Sequence, residues 1–120
     1  MNKAQAIHSF WSSFGLKAYD QFTVPPDATM PYITYNVSEA EIDNYVGLYG
    51  SIWYRSTSWE NAELKANEIA QHIARMNPIK IDGGYLAIHL GSPFAQRLQD
   101  EDDMVRRIYI NLQAEFLTEF

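Results

Sequence analysis

The sequence contains no cysteine, which rules out disulfides and thiolate metal sites. It also lacks an unbroken run of about 18 apolar residues, the length a membrane-spanning helix needs. The opening MNKAQAIHSFWSSFG has no continuous apolar core followed by a small-residue cleavage site, so it does not read as a signal peptide. Positive charge is scarce: 9 Lys and Arg against 15 Asp and Glu give a net charge of −6. That balance disfavours gripping a nucleic-acid backbone, which takes clustered cations. No repeat, low-complexity tract or linker interrupts the chain. Its 120 residues fit one domain, residues 1–120.

Catalytic signatures are missing too. No phosphate-binding loop, dinucleotide fingerprint or Gly-x-Ser-x-Gly elbow occurs. Asp82-Gly83-Gly84 is a turn rather than a phosphate cradle, because no helix follows it. His8, His72 and His89 fall on different elements without ligand spacing. Asp100–Asp103 lacks the alternation and glycine of a calcium loop. It reads as a solvated acidic turn or a partner for Arg97, Arg106 and Arg107. The reading is of a protein that is not an enzyme and holds no cofactor or metal.

What the chain does have is apolar and aromatic bulk: 47% hydrophobic residues and 14% aromatics, including eight Tyr and three Trp. The densest stretch is YVGLYGSIWYRSTSW, residues 45–59. Alternation puts Val46, Leu48, Ile52 and Tyr54 on one face of a strand and Tyr45, Tyr49, Trp53 and Arg55 on the other. The first set should pack under a helix spanning Thr57–Arg75. The second set is a candidate interface, with a sheet covered on both sides within one chain as the alternative. Tyr and Trp are enriched in such surfaces. Asp102 and Arg106 join the candidates as a charged pair that links subunits.

Along the chain, residues 3–14 read as a helix with Ile7, Phe10, Trp11 and Phe14 on one stripe, stopped by Gly15. Leu16–Tyr19 reads as a short extended piece. Three prolines make Asp20–Pro31 a loop. Tyr32–Val37 and Tyr45–Ser56 read as strands, separated by an acidic loop or strand tip at Ser38–Asn44. Thr57 and Glu60 suggest a capping box on a helix whose apolar stripe is Ala62, Ala66, Ile69, Ile73 and Met76. Asp82-Gly83 marks a hairpin between Ile79–Ile81 and Tyr85–Leu90. Gly91-Ser92-Pro93 should end that strand, leaving Phe94–Gln99 as a helical turn or irregular segment. Val105–Phe116 alternates cleanly as a final strand. The fold class is therefore α+β: a mainly antiparallel sheet of about five strands with two helices packed on one face.

The segments IWYRSTSW (52–59), IKIDGGYLAI (79–88) and SPFAQRLQDEDDMVRRIYINLQAEF (92–116), taken in that order and spacing, resemble the head–tail joining proteins of long-tailed bacteriophages and prophages. These are the minor capsid or tail-completion proteins, similar in layout to tail terminators. The resemblance covers nearly the whole chain. It implies a structural subunit that assembles with itself as a ring, commonly a hexamer. Such a ring caps the tail tube and joins it to the head connector, with DNA passing through its lumen without specific binding. It implies a virion location at the head–tail junction, after synthesis in the bacterial host cytoplasm, and no membrane partner. No catalytic residue carries over. Two alternatives stay open: a portal-side adaptor or stopper in the same neck, and a small-ligand-binding α+β domain.

Overall fold

The structure is a computed structural model. It describes the backbone over residues 1–38 and 45–118 and the side chains over 1–36 and 47–118. Its elements in chain order are α1 (Lys3–Ser12), β1 (Lys17–Asp20), β2 (Tyr32–Ser38), β3 (Tyr45–Arg55), α2 (Glu60–Arg75), β4 (Ile79–Ile81), β5 (Gly84–Leu98) and β6 (Val105–Thr118). The strands form one sheet in the order β1-β2-β3-β6-β5-β4. Most of the expected loop at Ser38–Asn44, residues 39–44, lies outside the described residues.

Two α-helices on a largely antiparallel sheet match the expected class, with six strands in place of five. The added member, β1, makes the sheet mixed, because it runs parallel to β2. The proline-bearing segment 21–31 carries the chain back so that β2 starts beside Lys17 and runs the same way; a tight hairpin cannot make such a connection.

Both helices lie on one face. There α1 contributes Ala6, Ile7, Phe10 and Trp11, and α2 contributes Ala62, Ala66, Ile69 and Ile73. These pack on Leu48, Ile52, Ile108, Ile110 and Leu112 of the two central strands. The α1 N-terminus is fixed by a reciprocal capping box between Asn2 and Gln5, and Asn2 Oδ1 accepts from the Gln5 N–H at 2.8 Å. Its C-terminus stops just before Gly15, whose φ of 79° suits the left-handed turn that glycine makes without strain. Gly50 of β3 faces α1. A Cβ there would stand 2.7 Å from Trp11 Cη2, so the glycine lets the indole lie flat on the sheet.

Two expectations fail locally. Thr57 does not cap α2; Trp59 occupies the N-cap without a side-chain hydrogen bond. The turn is built instead by serines: Ser56 Oγ accepts from the Ser58 N–H at 3.0 Å, and Ser58 Oγ from the Glu60 N–H at 3.1 Å. Nor do Gly91-Ser92-Pro93 end β5, and Phe94–Gln99 is not helical. The strand continues to Leu98 through a bulge: Leu90 opposes Leu112 and Ala95 opposes Ile110, five steps along β5 against two along β6. Proline is tolerated because β4 pairs only with Gly84–Leu86. Beyond that point no described strand asks β5 for a backbone donor on its outer edge.

Candidate functional site

Because α1 and α2 share one face, no described helix covers the other. Register decides what stands there. Across the central strands, Trp53 opposes Arg107, Ser51 opposes Tyr109 and Tyr49 opposes Asn111. On the flanks, Tyr32 opposes Trp53 and Lys17 opposes Tyr32. Partners in register point the same way, so this outer face gathers the sequence's second alternating set from every strand.

The aromatic residues form chains of contact. The Tyr19 and Tyr32 rings meet edge to face at 5.8 Å, and Tyr32 leads to Trp53 at 6.3 Å. The Arg107 guanidinium lies over the Trp53 ring at 4.5 Å. Tyr49 and Tyr109 stack at 6.0 Å. Polar handles hold these groups in place. Trp53 Nε1 donates to Thr34 Oγ1 at 2.8 Å, and Arg107 Nε donates to Ser51 Oγ at 3.0 Å. Thr34 and Ser51 are the buried polar residues among those described, and these bonds satisfy them.

The electrostatics follow from partial burial. Desolvation pulls the Arg107 pKa below its ordinary value, with the charges of Asp100 and Tyr109 opposing. Desolvation raises the Tyr109 pKa, and Tyr49 adds to the rise while Arg107 counters it. The surface is aromatic and partly buried, with its indole N–H and guanidinium held by hydrogen bonds.

Tyr49, Trp53 and Arg55 therefore stand on one uncovered face, as alternation indicated. The Tyr45 backbone pairs with Glu115, but its side chain lies outside the described residues, as does that of Val46. Leu48 and Ile52 are buried beneath the helices, and Tyr54 packs partly against the same core. The idea of a sheet covered on both sides is not met among the described residues.

Within the subunit, Asp102 and Arg106 are not paired with each other. Asp102 Oδ2 accepts from Arg55 Nη2 at 3.0 Å, an exposed intrachain bridge of small energetic weight. Arg106 sits on the helix side instead. Its Nη1 donates to Asp103 O at 2.6 Å and its Nη2 to Thr57 O at 3.2 Å, and its guanidinium carbon lies 5.5 Å from the Trp59 ring centre. Arg97 approaches the same ring at 4.8 Å and donates to Glu63 Oε1 at 2.7 Å. A cleft of about 410 Å³ opens beside them, lined also by Asp100, Asp102 and Asp103. Opposite charges interleave there, so the cleft staples the β5–β6 turn to the start of α2. Two of the three histidines are likewise absorbed: His8 Nδ1 lies 2.9 Å from the Tyr35 hydroxyl, and His72 packs on Phe14, while His89 is exposed on β5. Among the described residues no three His, Asp or Glu group as metal ligands.

The strand pattern of Tyr32–Val37 and Val105–Phe116 does not by itself join Tyr32, Arg107 and Tyr109 to Tyr49 and Trp53. Their parity was visible; which strands are neighbours was not.

The Asp102 carboxylate gives a pH prediction. It stands exposed, and its pKa is held below the ordinary value first by the Met104 N–H and then by Arg55. A lowered folded pKa adds stability above the unfolded value of about 3.9, and that contribution fades as pH falls through the folded pKa. Carboxyl NMR titration should show an Asp102 midpoint below that of an unbonded aspartate. Arg55→Ala should raise it only partway, because the Met104 bond remains.

Comparison with known proteins returns no matching family model and no curated relative. Among solved structures, the chain is similar to one from the virion of a native gene transfer agent particle. The TM-score is 0.60, with 15% identity, over 92% of this chain and 83% of that one. At that identity the likeness shows a shared fold.

Proposed function

We propose that this chain is a structural subunit of a virion neck, forming a ring that caps the tail tube and joins it to the head. The observation that carries the reading is the fold shared with a virion chain over 92% of this chain. The segment resemblance to head–tail joining proteins points the same way. An uncovered sheet face built of interlocked Tyr, Trp and Arg supplies a surface suited to assembly. In this reading the protein is not an enzyme. Its partners are copies of itself, the tail-tube protein and the head-connector proteins, and its place is the head–tail junction of the virion. The acidic balance, −6 overall, suits a lumen that DNA crosses without adhering.

The role is tested by mixing purified protein separately with tail-tube protein and with DNA-filled capsids. Binding to tube ends, together with overlong tails or free heads in particles lacking the protein, is the expected result. Binding to filled capsids alone would make it an adaptor or stopper on the portal side. Normal virions in its absence would defeat the reading.

A further inference from the structure

The outer sheet face differs in charge from the chain that carries it. Its strand positions bear Lys17, Arg55, Lys80 and Arg107 as cations, of which Arg55 is bridged by Asp102, with Glu115 as the carboxylate among the described strand residues. The rest of the chain is correspondingly acidic, since the total is −6. On the opposite side of the molecule, α2 turns a second distinctive surface to solvent. Its buried stripe is Ala62, Ala66, Ile69 and Ile73. The stripe behind it, at four-residue spacing, is Glu60, Leu64 and Glu68. All three are exposed, and Leu64 keeps 59% of its surface in water. Lys65, next to Leu64, reaches inward to donate to Phe14 O at 2.7 Å and also bridges Glu68 at 3.1 Å.

These surfaces are complementary. One is aromatic with cations around it; the other is a single leucine between carboxylates. A sheet with a helix layer on one face only also has room for a second layer. We infer that the uncovered sheet face of one copy receives the solvent-facing stripe of α2, Glu60–Leu64–Glu68, from a second copy of this chain. The inference rests on the ring reading above and names the two faces that meet. Those faces lie on opposite sides of the subunit, so the contact is head-to-tail rather than a two-fold dimer, and it makes a ring when the rotation between successive copies closes.

The absence of cysteine allows a direct test. The full chain carrying both Asn67→Cys, exposed one helical turn from Leu64 on α2, and Gln96→Cys, beside Tyr109 on the outer face, is treated with a short bis-maleimide. Treatment is carried out on the protein alone and again with tail-tube protein. Light scattering reports in parallel whether a ring forms. The expected result is a ladder of covalent oligomers from the double variant, with each single variant remaining monomeric on a denaturing gel. A ring without a ladder, or a covalent dimer from either single variant, overturns the inference and leaves the ring standing. No assembly under either condition overturns both.

Discussion

Trp11→Ala is expected to cost about 3–5 kcal/mol, the usual range for removing a large aromatic ring from a core. Against a typical domain stability of about 5–15 kcal/mol, that leaves a marginal or unfolded protein. The indole is fully buried. It packs edge-on to Phe10 at 5.1 Å, stacks near Tyr35 at 6.5 Å and covers Gly50. Nothing replaces it: Gly50 has no side chain, so the cavity opens directly onto sheet backbone. Trp11 Nε1 is buried without a described hydrogen-bond partner. Trp11→Phe should therefore lose far less, because it keeps most of the ring and removes an unsatisfied donor. Urea denaturation of the three proteins checks this. A Trp11→Ala midpoint near that of the parent would mean the core is not organised around this ring.

Trp53→Ala is expected to abolish assembly while leaving the domain folded. Trp53 is half-buried at the centre of the outer face, between Tyr32 and Arg107. Its loss strips the aromatic partner from a desolvated guanidinium and leaves the buried Thr34 hydroxyl without its donor. The cost within the subunit is about 1–2 kcal/mol for that hydrogen bond and the lost packing. At an interface, a central Trp or Arg anchor typically contributes about 2 kcal/mol or more, enough to weaken association about thirtyfold or beyond. Near-ultraviolet circular dichroism reports the fold, and light scattering with tail-tube protein reports assembly. Unfolding of the variant would make Trp53 a core residue, and unchanged assembly would remove the outer face from the interface.

Much of this architecture was legible beforehand for a simple reason: the informative elements carry clean periods. Alternation in Tyr32–Val37, Tyr45–Ser56 and Val105–Phe116 follows from the strand pleat. The stripe Ala62, Ala66, Ile69, Ile73 follows from 3.6 residues per turn. Asp82-Gly83 marked its hairpin because few residues accept the φ of 82° that Gly83 adopts. The failures lie where local chemistry has near-equal options. Serine hydroxyls at 56 and 58 satisfied the turn before α2 that Thr57 was expected to cap. Gly91-Ser92-Pro93 looks like a break because proline disrupts a paired strand; it is tolerated here because β4 ends early and leaves that edge of β5 without a described neighbour.

By itself, the sequence determined which residues face which side of each element, since that depends only on backbone period. From this came the buried face of β3, the buried stripe of α2 and the membership of Tyr49, Trp53 and Arg55 in one set. Only the tertiary structure decided between helices on one face and a sheet covered on both sides, that β1 joins in parallel, and that β3 lies between β2 and β6. These are matters of long-range pairing, where contacts distant in the chain compete on similar terms and local pattern is silent. That order is what places Arg107 over Trp53 and Tyr109 against Tyr49. It separates Arg106 from Asp102, and it turns alternating residues on separate strands into one continuous surface.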